Sequence, residues 1–406
     1  MSVPRAKRRF QLVLIKPSHY DDEGSLVQRV RSSIPASSLA CLYALALDAA
    51  ERRVLGPNVT IDITAVDEAN TRVRTKEIIA QFAGHDGFGM VGLVGVRSSQ
   101  LPRALDIARP LREAGLPVVI GGFVSDQLAT PPDPQPDLAP ALDMGCSLFA
   151  GDAENGRIDA VIRDAANGAL QSRYDHMSGL PALESAPSPF VPPEALKRMI
   201  DHYASFDAAR GCPFQCSFCA TINLHGRKSR SHSADDIEQS IRAHYQEGVP
   251  WFFIVDDNFA RSKDWEQVFD RIILLRDRDR IELKIAVQVD TLCHRIPGFV
   301  AKAARAGVRK VFIGTENVDS AKRPAARRQD KISEHRSMIL AWKNAGVIAY
   351  EGYILGSPFD ALESAREDGE TISKELPTEI LEFFCYAAAS SRVRGAAPMR
   401  IARSPR

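Results

Sequence analysis

Short apolar runs alternate with helical patterns along roughly the first 170 residues. Runs rich in Val, Ile and Leu are typical of buried parallel strands, and apolar residues spaced three or four apart indicate helices between them. The predicted strands are 10–15, 59–66, 89–96, 116–122 and 146–151, and the predicted helices are 36–50, 75–84, 101–114 and 154–169. This alternation predicts a parallel α/β domain.

A second α/β series begins after a stretch rich in proline and glycine, 179–196. Its predicted strands are 203–209, 251–257, 283–290, 310–314, 349–356 and 378–385, with helices at 233–247, 262–275, 298–307 and 332–346. Six strands with crossover helices predict a barrel or part of one. We therefore expect a first domain at 1–175, a proline-rich linker at 176–200, a partial barrel at 201–385 and a poorly packed tail at 386–406.

Composition narrows the class of protein. The chain has 406 residues, 45% of them apolar and 25% charged, which is typical of a folded globular protein. Its formal net charge is +1, and its Lys and Arg residues are spread along the chain. This distribution gives no reason to expect a basic surface that binds nucleic acid. The apolar run after the basic first ten residues is too short for a membrane span or a signal peptide. We expect a cytoplasmic protein.

Three of the seven cysteines fall within eight positions, as Cys212, Cys216 and Cys219. Gly211 and Pro213 place them on a loop, at the carboxyl end of the first strand of the second series. With His225 they could form a Cys3His zinc site. Alternatively, three thiolates could hold a four-iron, four-sulfur cluster and leave one iron open for a substrate. The remaining cysteines are expected to be buried structural thiols: Cys41, Cys146, Cys293 and Cys385.

The spacing CxxxCxxC, with Phe218 before the last cysteine, resembles that of the radical S-adenosylmethionine (SAM) superfamily. The resemblance implies a [4Fe-4S] cluster on the three cysteines, with SAM chelating the open iron. Reductive cleavage of SAM would then yield a 5′-deoxyadenosyl radical. It also implies SAM contacts at strand ends and in the segment "GYILG", where we single out Asp257, Asn258, Gln288, Gly314, Glu316, Gly352 and Gly356.

The first domain resembles the cobalamin-binding module of the B12-dependent branch of that superfamily. Ser99 and Leu101 resemble its S-x-L element, Gly121 and Gly122 its G-G element, and 150–156 a closing G-E-x-E segment. The D-x-H-x-x-G element is absent, and His19 and His85 lie outside that pattern. The resemblance therefore implies a Rossmann-like domain that binds cobalamin without a histidine ligand. A scaffold that has lost cobalamin is the alternative.

Together these features predict a radical SAM enzyme with a [4Fe-4S] cluster, SAM and cobalamin. The expected reaction is methyl transfer to an unactivated carbon of a small molecule, or a related modification. The implied electron donor is a flavodoxin or ferredoxin, with no membrane or nucleic-acid partner. A cobalamin-independent radical SAM oxidoreductase or lyase, and an inactive iron-sulfur or zinc protein, are the alternatives.

The chain ends in a stretch with five Arg and no acidic residue, 386–406. It resembles a truncation or a shifted reading frame. If the wall of the barrel is incomplete at this end, we expect the enzymatic activity to be reduced or lost.

Overall fold

The structure is a computed structural model that describes residues 8–122, 138–214, 216, 219, 225–316, 325–355 and 362–385. The predicted site residue Gly356 and the predicted tail 386–406 lie outside the described residues. None of the described helices is long and apolar enough to cross a membrane.

The first domain is built on a parallel sheet with the order β2-β1-β3-β4-β5-β6. Its central strands are almost wholly buried, which explains their continuous apolar runs. The six strands are β1 (Arg8–Lys16), β2 (Val59–Asp67), β3 (Gly89–Leu93), β4 (Val118–Gly121), β5 (Ser147–Ala150) and β6 (Arg173–Asp175). The order in which the strands are added to the sheet reverses between β1 and β3. At such a point the carboxyl ends of the strands open a crevice, and folds of this kind bind ligands there.

Helices cover both faces of this sheet. The helices are α1 (Ser37–Glu51), α2 (Thr75–Ala83), α3 (Leu101–Glu113), α4 (Ala139–Asp143) and α5 (Arg157–Ala166). On one face α2 and α3 pack against the sheet through Phe82 and Ile107, whereas α1 and α5 pack on the other through Leu39 and Ile162. The result is a doubly wound, three-layer domain.

The second domain carries its strands in chain order, β7-β10-β11-β12-β13-β14, and every neighbouring pair is parallel. Among the described residues the sheet is open, with β7 and β14 as its two edges. Its strands are β7 (Tyr203–Phe206), β10 (Trp251–Ile254), β11 (Lys284–Asp290), β12 (Val308–Glu316), β13 (Ile348–Leu355) and β14 (Ile380–Cys385). This is the six-strand partial barrel that the apolar runs predict.

The helices of the second domain pack on one side of its sheet. They are α7 (Ala234–Gln246), α8 (Trp265–Asp277), α9 (Phe299–Ala306), α10 (Ala325–Asn344) and α11 (Leu362–Glu375). A cluster of aromatic rings centred on Phe299 joins α8, α9 and α10, with Trp265 and Trp342 as neighbours at 4.9 and 6.0 Å between ring centroids. The core of the domain therefore lies between the sheet and its helices.

The segment between the domains contains one short helix, α6 (Pro193–Leu196), and is fixed against α7. The backbone N–H of Val191 donates to Nε2 of His244, at 3.0 Å, and the Phe190 ring lies 4.4 Å from the imidazole. The hydroxyl of Ser240 donates to the carbonyl of Pro189. The predicted linker is thus packed along the second domain. The predicted domain boundaries themselves stay predictions.

Candidate functional site

The three clustered cysteines lie on a loop at the carboxyl end of β7. A small antiparallel hairpin, β8 (Ala209–Arg210) and β9 (Arg230–Ser231), closes the base of that loop. Gly211 leads into it with φ +102°, and a Cβ there would press on the carbonyl oxygen of Lys228, so the turn requires glycine. The backbone N–H of Cys212 donates to the carbonyl of Gly226, which joins the two arms of the loop.

The side chains of Cys212, Cys216 and Cys219 are all partly exposed. Burial raises the pKa of the Cys212 thiol, and the charges of Asp257 and Cys219 add to that effect. A bound cation would reverse this, because it favours the thiolate. Three soft thiolates on one loop are a donor set that suits iron and sulfide.

The zinc alternative requires His225 as a fourth ligand beside the three cysteines. Among the described residues, no three His, Cys, Asp or Glu side chains converge closely enough to hold one metal ion. A tetrahedral zinc site needs such convergence, whereas a four-iron cluster takes one thiolate per iron and does not. His225 lies instead beside Asp257, with Nδ1 at 3.0 Å from the carboxylate.

Asp257 supports both arms of the cysteine loop. It follows β10, and its carboxylate accepts the backbone N–H of Gly211 at 2.7 Å as well as contacting His225. Hydrogen bonds to the side chain and the charge of Asp257 raise the pKa of His225, although burial, the largest single influence, acts in the opposite direction. The structure therefore gives Asp257 a supporting role in the loop, in addition to the SAM contact that remains a prediction.

The other predicted SAM residues lie along the carboxyl edge of the second sheet. Asn258 donates to Asp290 at 3.0 Å, and Arg261 makes two further bonds to that carboxylate, at 2.7 and 2.8 Å. The Arg261 guanidinium also lies 5.2 Å from the ring of Phe214, next to the cysteines. Gly314 and Gly352 are register partners beside Asp290, and Gln288 lies two residues before it on β11. Glu316 ends β12, but its side chain lies outside the description.

A cavity of about 280 Å³ lies where the carboxyl edges of the two sheets meet. Its lower part is apolar and belongs to the first domain, where it is lined by Leu12, Leu14, Met90, Val119, Phe149 and Ile158. Its upper wall comes from the second domain and is charged, with Asp207, Arg210, His225 and Asp257. A ligand with an apolar body and polar groups fits such a cavity. At this volume, the cavity can enclose part of a large cofactor.

Gly121 and Gly122 line the first-domain rim of the cavity, and their predicted contact with cobalamin stays a prediction. Gly122 has φ +129°, and a Cβ there would press on the backbone nitrogen of Val96. This close approach lets the backbone itself line the cavity. Ser99 and Leu101 do not share the rim, because Ser99 is exposed and Leu101 is buried in the core of the first domain. The 150–156 segment does reach the cavity, through Gly151, Asp152 and Glu154.

A buried charge network at the cavity was not predicted from the sequence. Arg210 lies 2.7 Å from Glu154 and 2.6 Å from Asp207. Burial alone would raise the pKa of Asp207, but Arg210 and His232 outweigh burial and lower that pKa strongly. Cys41 also belongs here, since its thiol lies 3.4 Å from Glu154. The expectation of a buried thiol holds for Cys146 and Cys293, whereas Cys41 is intermediate in exposure as a whole residue and lines the cavity. The Cys385 side chain lies outside the description.

Comparison with known proteins gives a family match in the second domain. Residues 208–367 match the sequence profile of the Radical SAM superfamily. The match contains the cysteine loop, its hairpin and the strands from β10 to β13. The resemblance inferred from CxxxCxxC is thereby confirmed.

Curated relatives extend the similarity into the first domain. The chain is 25% identical over 305 residues to bacteriochlorophyllide d C-8(2)-methyltransferase of Chlorobaculum tepidum, which covers 71% of this chain and 64% of that protein. It is 24% identical over 317 residues to hopanoid C-2 methylase of Rhodopseudomonas palustris, covering 74% of this chain and 56% of that protein. The chain thus spans less than two thirds of the length of either relative.

Solved structures share the two-domain fold. The radical SAM methyltransferase TsrM of Kitasatospora setae, solved with cobalamin and a [4Fe-4S] cluster, aligns with 92% of this chain and 72% of its own, with a TM-score of 0.62 and 13% identity. The cobalamin-dependent SAM radical enzyme OxsB aligns with 91% of this chain and 53% of its own, with a TM-score of 0.64 and 14% identity. The predicted fold class, a Rossmann-like domain followed by a partial barrel, is confirmed.

Proposed function

We propose that this protein is a cobalamin-dependent radical SAM enzyme that transfers a methyl group to a carbon atom of a small-molecule substrate. The observation that carries the proposal is that both domains line the same cavity. Glycines of the first domain form one side, and the residues that bracket and support the cysteine loop form the other. Two cofactors bound at these places would be neighbours.

Cys212, Cys216 and Cys219 would hold the [4Fe-4S] cluster, and the strand ends beside them would bind SAM. When bound, the cluster and SAM supply a carbon radical by reductive cleavage, and cobalamin supplies the methyl group. The chain itself fixes the cysteine loop through Asp257, lines the apolar part of the cavity and shields it from water. Asn258, Gln288, Gly314, Glu316, Gly352 and Gly356 remain proposed SAM contacts, and Gly121 and Gly122 proposed cobalamin contacts.

The relatives support methyl transfer, since two curated proteins with similarity across both domains are named methyltransferase or methylase. We include in the proposal a flavodoxin or ferredoxin as electron donor and a cytoplasmic location. The proposed substrate is a small molecule.

Anaerobic reconstitution with iron, sulfide and hydroxocobalamin tests the proposal. The wild-type chain is expected to bind one four-iron cluster and cobalamin, and to form 5′-deoxyadenosine from SAM when a reductant is added. Changing Cys212, Cys216 and Cys219 together to Ala is expected to abolish iron binding. The matched control Cys146→Ala, a buried thiol of the first domain, is expected to retain it.

Each of the other outcomes supports a different function for this protein. A triple variant that still holds the wild-type amount of iron contradicts the cluster assignment. A cluster with SAM cleavage but no bound cobalamin indicates a cobalamin-independent radical enzyme. A cluster without SAM cleavage indicates a binding protein without turnover.

A further inference from the structure

Two arginines of the hairpin converge on one carboxylate of the first domain. Arg210 of β8 and Arg230 of β9 are register partners, so their side chains leave the hairpin side by side. The guanidinium of Arg210 lies 3.3 Å from Asp152, and that of Arg230 lies 3.0 Å from it. Arg230 also donates to the carbonyl of Pro181, at 2.7 Å. The hairpin is therefore attached to the first domain on both of its strands.

Arg210 makes the contact stronger by engaging Glu154 as well, at 2.7 Å. We call Arg210, Arg230, Asp152 and Glu154 the arginine clamp. Their side chains are 11%, 13%, 13% and 2% exposed. Ion pairs this deeply buried are weakly screened by salt, and removing one partner leaves a charge uncompensated. The clamp is consequently a stiff connection between the domains.

The clamp holds the two ends of the cysteine loop. Residues 211–229 lie between β8 and β9, so the hairpin holds both ends of the segment that carries the three cysteines. On the other side, Asp152 and Glu154 belong to the loop that follows β5 and line the cavity. The ion-pair distances place Arg210 and Arg230 on Asp152 and Glu154, so the clamp reaches the thiols through the hairpin that carries the loop.

We propose that Arg210 and Arg230 are positioning residues that fix the spacing and orientation of the cysteine loop relative to the cavity of the first domain. This inference rests on the proposed function in one respect, namely that the two places hold a cluster and cobalamin. The chemistry of radical capture depends on such spacing, because a misplacement of about 1 Å can cost about 100-fold in rate.

The test uses the full chain reconstituted with iron, sulfide and hydroxocobalamin, reduced to give paramagnetic [4Fe-4S]+ and cob(II)alamin. Pulsed electron paramagnetic resonance then measures the coupling between the two centres. Arg230→Gln removes one arm of the clamp, and Arg210→Lys keeps the charge but loses the forked geometry. The matched control is Arg52→Gln, which removes a two-point contact with Asp159 inside the first domain, at 2.8 and 3.0 Å.

In Arg230→Gln and Arg210→Lys we expect both cofactors at wild-type stoichiometry but a broader range of cluster-to-cobalt couplings. Arg52→Gln should match the wild-type chain in both cofactor stoichiometry and coupling. Wild-type coupling in both clamp variants would overturn the inference, because a purely structural role would change stability and leave the coupling as it is.

Hydrogen exchange of backbone amides in 209–231 provides a measurement that needs no cobalamin. Loss of a charge-assisted hydrogen bond should speed exchange there about tenfold or more in Arg230→Gln, with no change in Arg52→Gln. If the wild-type chain binds no cobalamin, the proposed function fails. Hydrogen exchange alone then tests whether the arginine clamp positions the cysteine loop. Unchanged exchange in 209–231 would then overturn it.

Discussion

The carboxylate of Asp257 lies 2.7 Å from the backbone nitrogen of Gly211, the residue before the first cysteine of the loop. The same carboxylate lies 3.0 Å from Nδ1 of His225, at the far end of the loop. One side chain at the end of β10 thus holds both arms of the cysteine loop. Removal of this side chain should therefore be visible in the binding of iron.

Changing Asp257 to Ala should loosen the loop and lower the amount of iron and sulfide retained per chain severalfold. The physical reason is that the backbone N–H of Gly211 and the His225 ring lose their shared acceptor. Metal analysis after anaerobic reconstitution measures the effect. The control is Asp270→Ala, which removes an exposed carboxylate paired with Lys302. Equal iron in the two variants would contradict the supporting role of Asp257.

Changing Gly122 to Ala should reduce the binding of hydroxocobalamin. A Cβ at this position would press on Val96 and the adjoining Gly95, and Gly95 and Gly122 both line the cavity. Gly115→Ala is a matched control, because Gly115 also has positive φ, +77°, but a Cβ there would meet no atom within 4 Å. Both variants should lose about 1 kcal/mol or more from backbone strain. Cobalamin bound per chain, read from the optical spectrum, should fall only in Gly122→Ala.

Acid should weaken the attachment of the interdomain segment to α7. Burial lowers the pKa of His244 to about 4, despite the hydrogen bond to the Ser240 carbonyl, and neutral Nε2 accepts the N–H of Val191. As pH falls from the ordinary histidine value of 6.5 towards 4, the unfolded chain takes up a proton that the folded chain does not, so stability is lost. The loss over this window should reach about 3 kcal/mol.

Denaturant unfolding of the cluster-free chain at pH 7 and pH 4.5 measures this pH dependence. His244→Gln should be less stable at pH 7 but should lose less stability on acidification. The control His19→Gln, at an exposed position, should keep the wild-type pH dependence. An identical pH dependence in His244→Gln and wild type would show that other groups control acid unfolding.

Changing Phe299 to Ala should destabilise the second domain by about 3–5 kcal/mol, since the ring is fully buried and its removal leaves a cavity. Four aromatic rings surround it, those of Phe259, Trp265, Phe269 and Trp342. Thermal unfolding compared with Leu274→Ala, whose side chain is half exposed, measures the effect. The control should change stability by no more than about 0.5 kcal/mol. A similar loss in both variants would argue against the aromatic cluster as the centre of the core.

The sequence predicts those elements that carry a continuous apolar run or apolar residues at clear helical spacing. The predicted strand 10–15 corresponds to β1, whose Phe10 to Ile15 are buried, and the predicted helix 101–114 corresponds to α3. The edge strand β6 was missed because Tyr174 is its single buried residue, which leaves no apolar run to detect. The β8–β9 hairpin has two residues per strand, too few for any period.

Some residues of the candidate site can be recognised from local sequence patterns, whereas others depend on contacts between distant parts of the chain. The three cysteines could be singled out because their spacing is local, and Gly121 and Gly122 because they lie at the end of an apolar strand, while their contacts with cofactors stay predictions. The pairing of Arg210 with Glu154 depends on how two domains meet, and no local pattern encodes it. Ser99 and Leu101 match a short motif, yet the structure places one in solvent and the other in the core, because two letters do not specify which face of an element they occupy.

The chain order of the second sheet has a consequence for synthesis. Each new strand pairs with the strand made just before it, from β7 to β14, so the sheet can grow one neighbour at a time as the chain leaves the ribosome. The cysteine loop lies between the first two of these strands, and Asp152 and Glu154 have already been synthesised by then. We therefore expect the hairpin of the cysteine loop to contact Asp152 and Glu154 early in translation. The later strands would then be added to a sheet whose cysteine loop is already held against the first domain.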